Sequence, residues 1–203
     1  MTIQEENDAV HRVLQGDANA FGPLVEAYQK NVYNLALRMT GNPEDALDMA
    51  QETFIKTYKS LSSFRGDSKF SVWLYRIASN VCLDFLRARK NKNAVSLNQP
   101  SPDGEEMELE IPDEHALPEA ELERALTREA VRHGLERLPE DQREILLLRE
   151  IQGLSYDEIS AILDLEAGTV KSRIFRARKK LCAYLLAYGN ISDEFSSAFT
   201  KEV

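Results

Sequence analysis

The chain has 203 residues, 43% of them hydrophobic and 29% charged, an ordinary soluble composition with room for one large or two small domains. Its longest unbroken apolar run, Leu181–Tyr188, falls far short of the ~20 residues a bilayer-spanning helix needs, and the acidic start Met1–Asp8 is unlike a secretory signal, so the chain is expected in the cytoplasm without membrane insertion. The net charge of -9 is concentrated in residues 91–130, where eleven acids face three bases, whereas residues 131–188 carry ten bases against nine acids.

Helical periodicity begins near residue 18. Phe21, Leu24, Val25, Tyr28, Val32, Leu35, Ala36 and Met39 recur at three- and four-residue spacing until Gly41 stops the helix. Asn42 and Pro43 start the next one as cap and first helical residue, with Glu44 and Asp45 at its positive end. Leu47, Ala50, Phe54, Tyr58 and Leu61 form its expected packing stripe, so Asp48, Gln51 and Glu52 project outward. A polar loop, residues 62–68, leads to a third helix from about Phe70 to Arg89. No alternating strand pattern of useful length occurs.

From Asn91 to Pro118 the periodicity fails at Pro100, Pro102, Pro112 and Pro118, which marks an extended acidic linker. Beyond it Leu138–Arg149 reads as a helix, with Pro139 near its first turn and Gly153 past its end. Ser155 and Glu158 form a capping box for a short helix, and Gly168–Leu181 follows after one turn. The expected fold is all-α: an N-terminal segment 1–17, a helical bundle 18–90, the linker 91–118, a helix-turn-helix domain 119–188 and a polar tail 189–203 carrying Phe195 and Phe199.

The last of these helices carries the chemistry. Val170, Ile174, Ala177 and Leu181 fall within roughly 60° of one another on a period of 3.6 and form one packing stripe. Lys171, Arg173, Arg176, Arg178, Lys179 and Lys180 occupy the remaining arc with no acid among them, so the helix repels itself unless a polyanion neutralises it. An isolated charge run reads more simply as a solvated face. Three helices in this order instead make a compact DNA-binding unit. Cys82 and Cys182 sit a hundred residues apart in helical patterns, and His11, His115 and His133 have no ligand-like spacing with them, so reduced thiols and neither metal nor cofactor are expected. No Gly-rich phosphate loop or nucleophile triad marks an enzyme.

Three motifs together resemble the bacterial RNA polymerase sigma factors called extracytoplasmic-function sigma factors. Residues 45–58 are similar to the polymerase-docking helix of that family. Phe64-Arg65-Gly66-Asp67 with residues 70–80 is similar to the loop and helix that melt and read the minus-ten promoter element, and the C-terminal helix-turn-helix to the unit that reads the minus-thirty-five element. The resemblance implies partners: core RNA polymerase, through the clamp region of its large subunit and its flap region, promoter DNA, and an anti-sigma factor, which is common in the family. It implies core binding through Leu47, Asp48, Gln51, Glu52, Phe54 and Tyr58. It assigns the minus-ten site to Lys56, Phe64, Arg65, Trp73, Arg76 and Asn80, with Phe64 as an aromatic wall, the cations on phosphates and the Asn80 amide on a base edge. Trp73 has two readings, as core or as stacking platform. Upstream DNA falls to Thr169, Lys171, Ser172, Arg173, Arg176, Arg178 and Lys179, and the stretch Glu105–Glu114 to the polymerase's RNA exit path. Where the family often has Pro at the entry to the recognition helix this chain has Glu166, a carboxylate suited to a helix N-terminus but able to alter which bases are accepted. Two rivals remain: a stand-alone helix-turn-helix regulator, which leaves the docking pattern and acidic linker without a role, and an enzyme with an accessory DNA-binding domain using Asp45, Asp48 and Glu52 as metal ligands.

Overall fold

A computed structural model describes residues 1–96 and 119–187, so the acidic stretch Glu105–Glu114 and the tail Gly189–Val203 lie outside the described residues. The chain opens with a helix that sequence analysis left as an unassigned segment: α1, Ile3–Leu14, closed by a capping box in which Glu5 N–H donates to Thr2 Oγ1 (3.3 Å) and Thr2 N–H to Glu5 Oε2 (2.7 Å). Its inner face buries Ala9 and Val10 together with Glu6, whose carboxylate accepts from the Tyr28 hydroxyl. Burial and the Glu6 charge hold that hydroxyl above its usual pKa.

A 3₁₀ turn, Ala18–Phe21, feeds α2, Gly22–Thr40. At its end Gly41 takes φ 74°, the left-handed conformation that costs glycine least, and returns its N–H to Leu37 O (2.9 Å). Asn42 Oδ1 then accepts from Glu44 N (2.8 Å) and Asp45 N (3.0 Å) and launches α3, Pro43–Ser60. The long α4, Phe70–Ser96, continues past the expected stop at Arg89, since no helix breaker intervenes before Pro100. Helices α2, α3 and α4 pack together, with Leu24, Leu35, Met39, Phe70 and Leu74 fully buried between them.

The second half comprises α5 (Glu119–Glu136), α6 (Glu140–Leu146), α7 (Tyr156–Leu163) and α8 (Ala167–Ala187). The helix expected over Leu138–Arg149 starts after Pro139 and widens at its end into a π-helical turn, Leu147–Ile151, where Gln152 N–H donates to Leu147 O (3.1 Å). Gly134 lets α5 approach α8: a Cβ there would stand 2.7 Å from Leu181 Cδ1.

The two halves do not stand apart. Met39 and Leu74 of the first and Ile145 and Leu148 of the second belong to one continuous buried cluster. Arg143 spans the join. Its buried guanidinium donates to Leu135 O (Nε, 2.8 Å), Glu136 O (Nη2, 2.7 Å) and, across the seam, Met39 O (Nη1, 2.5 Å). Replacing Arg143 with Met, which keeps most of the side-chain length, removes its donors from the Glu136 and Met39 carbonyls, while Leu135 O keeps the Leu138 N–H, and urea unfolding is expected to show a loss of about 2–4 kcal/mol.

Candidate docking and nucleic-acid interfaces

On α3 the structure corrects the expected packing stripe. Ala46, Ala50, Thr53 and Thr57 are buried, and Leu47 (52% exposed) and Tyr58 (44%) face outward. The threonines qualify as core because their hydroxyls are satisfied within the helix, Thr53 Oγ1 by Met49 O and Thr57 Oγ1 by Thr53 O, both at 2.7 Å. The outward arc therefore joins Leu47, Gln51, Tyr58 and Asp48 with Ile55, which sequence reasoning omitted. Phe54 is half-buried against the core, and the Tyr58 ring meets Phe21 edge-on at 5.2 Å. Glu52 lies at the margin of this arc, 3.4 Å from Lys56 Nζ. The face is thus mixed, with the exposed apolar side chains Leu47 and Ile55 beside carboxylates.

Phe64 ends the turn Leu61–Ser63, and its ring contacts Phe70 (centroids 5.8 Å apart, perpendicular) and Trp73 (5.3 Å). Beside them opens a hollow of about 360 Å³, lined by Phe64, Arg65, Trp73 and Arg76 and edged by Ala161 of α7. Trp73, 7% exposed, is packed in the core cluster, as its core reading has it, and also lines the hollow. Arg65 and Arg76 are exposed at the rim. Lys56 and Asn80 are not in this hollow. They share a second groove, about 400 Å³, with Lys59 and Ile77, so the residues assigned to one site divide between two neighbouring surfaces of α4. Lys59 was missed, although its spacing from Lys56 places both on adjoining faces of α3.

The helix-turn-helix is built as its caps dictate. Glu158 N–H donates to Ser155 Oγ (3.2 Å) and Ser155 N–H to Glu158 Oε2 (2.8 Å). Lys69, and after it Ser155, holds the Glu158 carboxyl below the usual carboxylate range. α7 ends at Asp164 in the left-handed conformation (φ 53°), and the Ser160 hydroxyl donates to Leu165 O to fix the turn. Glu166, exposed, offers its carbonyl to Val170 N–H (3.0 Å) at the entry of α8.

The α8 stripe Val170, Ile174, Ala177 and Leu181 is buried, as the periodicity predicts. Lys171, Ser172, Arg176 and Lys179 are exposed, together with Lys180 and the partly exposed Phe175; Thr169 is half-buried. Arg173 is drawn toward Asp141, 3.8 Å away. Arg178, expected on the DNA face, flanks the packing stripe instead: its side chain is 5% exposed and its guanidinium meets Glu150 Oε1 at 2.6 Å and 2.9 Å, a pairing that occupies it within the fold.

Residues 24–92 match the family described as Sigma-70 region 2, and residues 128–181 match Sigma-70, region 4. The RNA polymerase sigma-H factor of Pseudomonas aeruginosa is 41% identical over 186 residues, covering 89% of this chain and 94% of that protein. The ECF RNA polymerase sigma-E factor of Escherichia coli K12 is 43% identical over 178 residues, covering 85% and 90%. Among solved structures, CnrH in complex with the cytosolic domain of CnrY superposes with a TM-score of 0.65 at 28% identity, over 90% of this chain and 98% of that one. The sigma factor RpoE in complex with the anti-sigma factor NepR from Bartonella quintana shares the fold, with a TM-score of 0.64 at 24% identity over 82% and 96%.

Two neighbouring cations of α8 should separate by mutation. Arg178→Met is expected to lower stability by about 1–3 kcal/mol in chemical unfolding, because it removes charged hydrogen bonds from a buried position. Lys179→Ala should leave stability within about 0.5 kcal/mol while reducing the slope of DNA affinity against log salt by about one, read by fluorescence anisotropy of the polymerase complex.

Proposed function

The chain belongs to the extracytoplasmic-function group of the sigma-70 family, and from that premise we propose how its surfaces divide the work of transcription initiation. It is a promoter-recognising sigma factor of RNA polymerase, a partner of core polymerase and promoter DNA, and it is not an enzyme. The outward face of α3 docks on the coiled coil of the polymerase clamp. Its carboxylates Asp48 and Glu52 suit long Arg or Lys side chains, and the exposed Leu47, Ile55 and Tyr58 supply the apolar centre that a stable interface needs. The C-terminal half serves the flap region.

The hollow at Phe64 and Trp73 takes an unstacked base of the minus-ten element, with Arg65 and Arg76 on the flanking phosphates. The adjacent groove of Lys56, Lys59 and Asn80 follows the backbone and a base edge beside it. Upstream DNA meets the exposed arc of α8. Lys171, Ser172 and Arg173, near its N-terminal end, are placed for base edges with Thr169 and Arg176 in support, and Lys179 for phosphate.

The observation that carries this reading is the pairing, on one chain, of a cation-rimmed aromatic hollow in the region 2 match with an acid-free cationic helix in the region 4 match. A stand-alone regulator is not favoured, since it leaves the first of these without a use. An anti-sigma factor is proposed as a further partner: the RpoE of Bartonella quintana is solved in complex with the anti-sigma factor NepR, and CnrH with the cytosolic domain of CnrY. Action in the cytoplasm follows from work on core polymerase; among the described residues no helix is long and apolar enough to cross a membrane.

In vitro transcription with core polymerase on a genomic promoter library tests the reading as a whole, and the chain should direct initiation from a defined subset of promoters. In the same assay Asp48→Lys with Glu52→Lys, and separately Leu47→Ser, should weaken core binding at least tenfold, about 1.4 kcal/mol, with the circular dichroism spectrum unchanged. Equal core affinity would remove the α3 face from the interface.

Phe64→Ala and Asn80→Ala should leave closed-complex formation largely intact and reduce strand opening, because a lost base stack costs about 1–3 kcal/mol. Permanganate footprinting of thymines at the start site reads this directly, and parental reactivity in both variants would exclude them from the site.

A further inference from the structure

A small hollow of about 210 Å³ between α5 and α8 shares no residue with the α3 face, the aromatic hollow or the cationic arc of α8. It is lined by Ala130, His133, Gly134, Arg137 and Tyr184. At Gly134 the two helices approach so closely that a Cβ would meet Leu181 Cδ1 at 2.7 Å, and the Tyr184 ring, with the Arg137 guanidinium over it at 5.5 Å, makes one wall. An apolar stripe leads into it. Leu126, Ala130 and Gly134 recur every four residues along α5 and so share a face, and Leu126 is 54% exposed. A single exposed leucine needs no explanation, but one in line with an apolar hollow marks a surface shaped to be covered.

We propose that this groove is an intramolecular docking site and that its occupant is the chain's own C-terminal tail, residues 189–203, turned back so that Phe195 and Phe199 lie along the α5 stripe. The place of the tail in the chain supports this. Tyr184 stands one helical turn before Ala187, where α8 ends, so the tail departs beside the hollow. Gly189 and Asn190 follow at once, and both tolerate the left-handed backbone that suits the short reversals joining antiparallel helices. The sequence beyond them carries a matching stripe. On a helical period Ile191, Phe195, Ala198 and Phe199 share one face, and the steps from 191 to 199 and from 126 to 134 both correspond to about 12 Å of helix. Charge agrees with the pairing. The tail carries Asp193, Glu194 and Glu202 against Lys201, whereas α5 between Leu126 and Arg137 carries Arg128, Arg132 and Arg137 against Glu129 and Glu136, and Lys179 and Lys180 precede Tyr184 on α8. Tethering supplies the rest: a linker this short holds the tail at an effective concentration of about a millimolar, so a contact too weak to capture a free peptide suffices. A second copy of the chain or an apolar helix of another protein would have to enter against that competitor.

Hydrogen exchange of the full chain tests the proposal without altering the groove. Phe195→Ser combined with Phe199→Ser should speed amide exchange in peptides covering Leu126–Arg137 by about fivefold or more and leave peptides of α2 and α3 unchanged. Equal exchange in parent and double variant would overturn tail docking. Proximity is read separately from a cysteine pair that keeps both phenylalanines. The native Cys82 and Cys182 are buried, so in dilute full chain a short bis-maleimide should link Ala130→Cys to Ala198→Cys about tenfold faster than it links Glu26→Cys, exposed on α2, to Ala198→Cys. Peptide mass spectrometry locates the link. Equal rates for the two pairs would overturn the proposal, as would links formed only between chains, detected by mixing light and isotope-labelled protein, which would give the groove to a second copy. Neither readout involves polymerase or promoter, so failure of the sigma-factor reading would show separately, as absent initiation in the transcription assay.

Discussion

The arrangement of the whole molecule turns on one cation, Arg143. A helix leaves its last four carbonyls without intrahelical partners, and α5 ends only three residues before α6 begins, too tight a connection for water to satisfy them all. The Arg143 guanidinium answers with a planar fork of donors, meeting Leu135 O and Glu136 O while reaching the carbonyl of Met39 at the end of α2. A lysine, with one donor centre, could not hold carbonyls on both sides. The same side chain thus sets the α5–α6 corner and ties the cationic helix-turn-helix to the bundle that carries the aromatic hollow.

What sequence could reveal follows the range of the interaction involved. Local devices were legible: Gly41 as a left-handed stop, Asn42 with Pro43 as a start, and the Ser155–Glu158 box, each complete within four residues. The inward face of α3 was not. Leucine and aromatics outbid alanine and threonine in any hydrophobicity reading, yet Thr53 and Thr57 cancel their own polarity against the helix backbone and pack closely, which leaves Leu47 and Ile55 to face outward. The helix at Ile3–Leu14 was overlooked for a related reason. Its capping box is written in Thr2 and Glu5, but its inner face includes Glu6, which becomes a core residue only through a tyrosine 22 positions away.

The candidate site divides along the same line. Residue types for capturing a base were readable in Phe64, Arg65, Trp73 and Arg76, and the structure gathers these four around one hollow. Lys56 and Asn80 carry the right chemistry but stand on a neighbouring groove, a separation set by helix packing that spacing along the chain does not encode. On α8 the six cations of the sequence overstate the nucleic-acid face. Arg178 is spent inside on Glu150, 28 residues earlier, and Arg173 leans toward Asp141. The cationic face that remains exposed is narrower than the sequence suggests.

That narrowing explains how a chain of net charge -9 remains selective for DNA. Fields between exposed charges fade over about 8 Å at physiological ionic strength, so a phosphate close to α8 would respond first to the exposed Lys171, Arg176, Lys179 and Lys180 rather than to the net charge of the whole chain. A few outward cations give modest affinity for duplex alone. Discrimination then depends on simultaneous engagement of a second surface, because two linked contacts of moderate strength bind together far more tightly than either does by itself, and only where their spacing matches. Phe64 and Trp73 stand on one side of the seam at Arg143 and α8 on the other, so the spacing between them depends on the seam as much as on either half. Polar contacts at that seam, such as Arg143 on Met39 O and Lys69 on Glu158, recover hydration if the halves separate, whereas the buried hydrocarbon of Met39, Leu74, Ile145 and Leu148 holds them together.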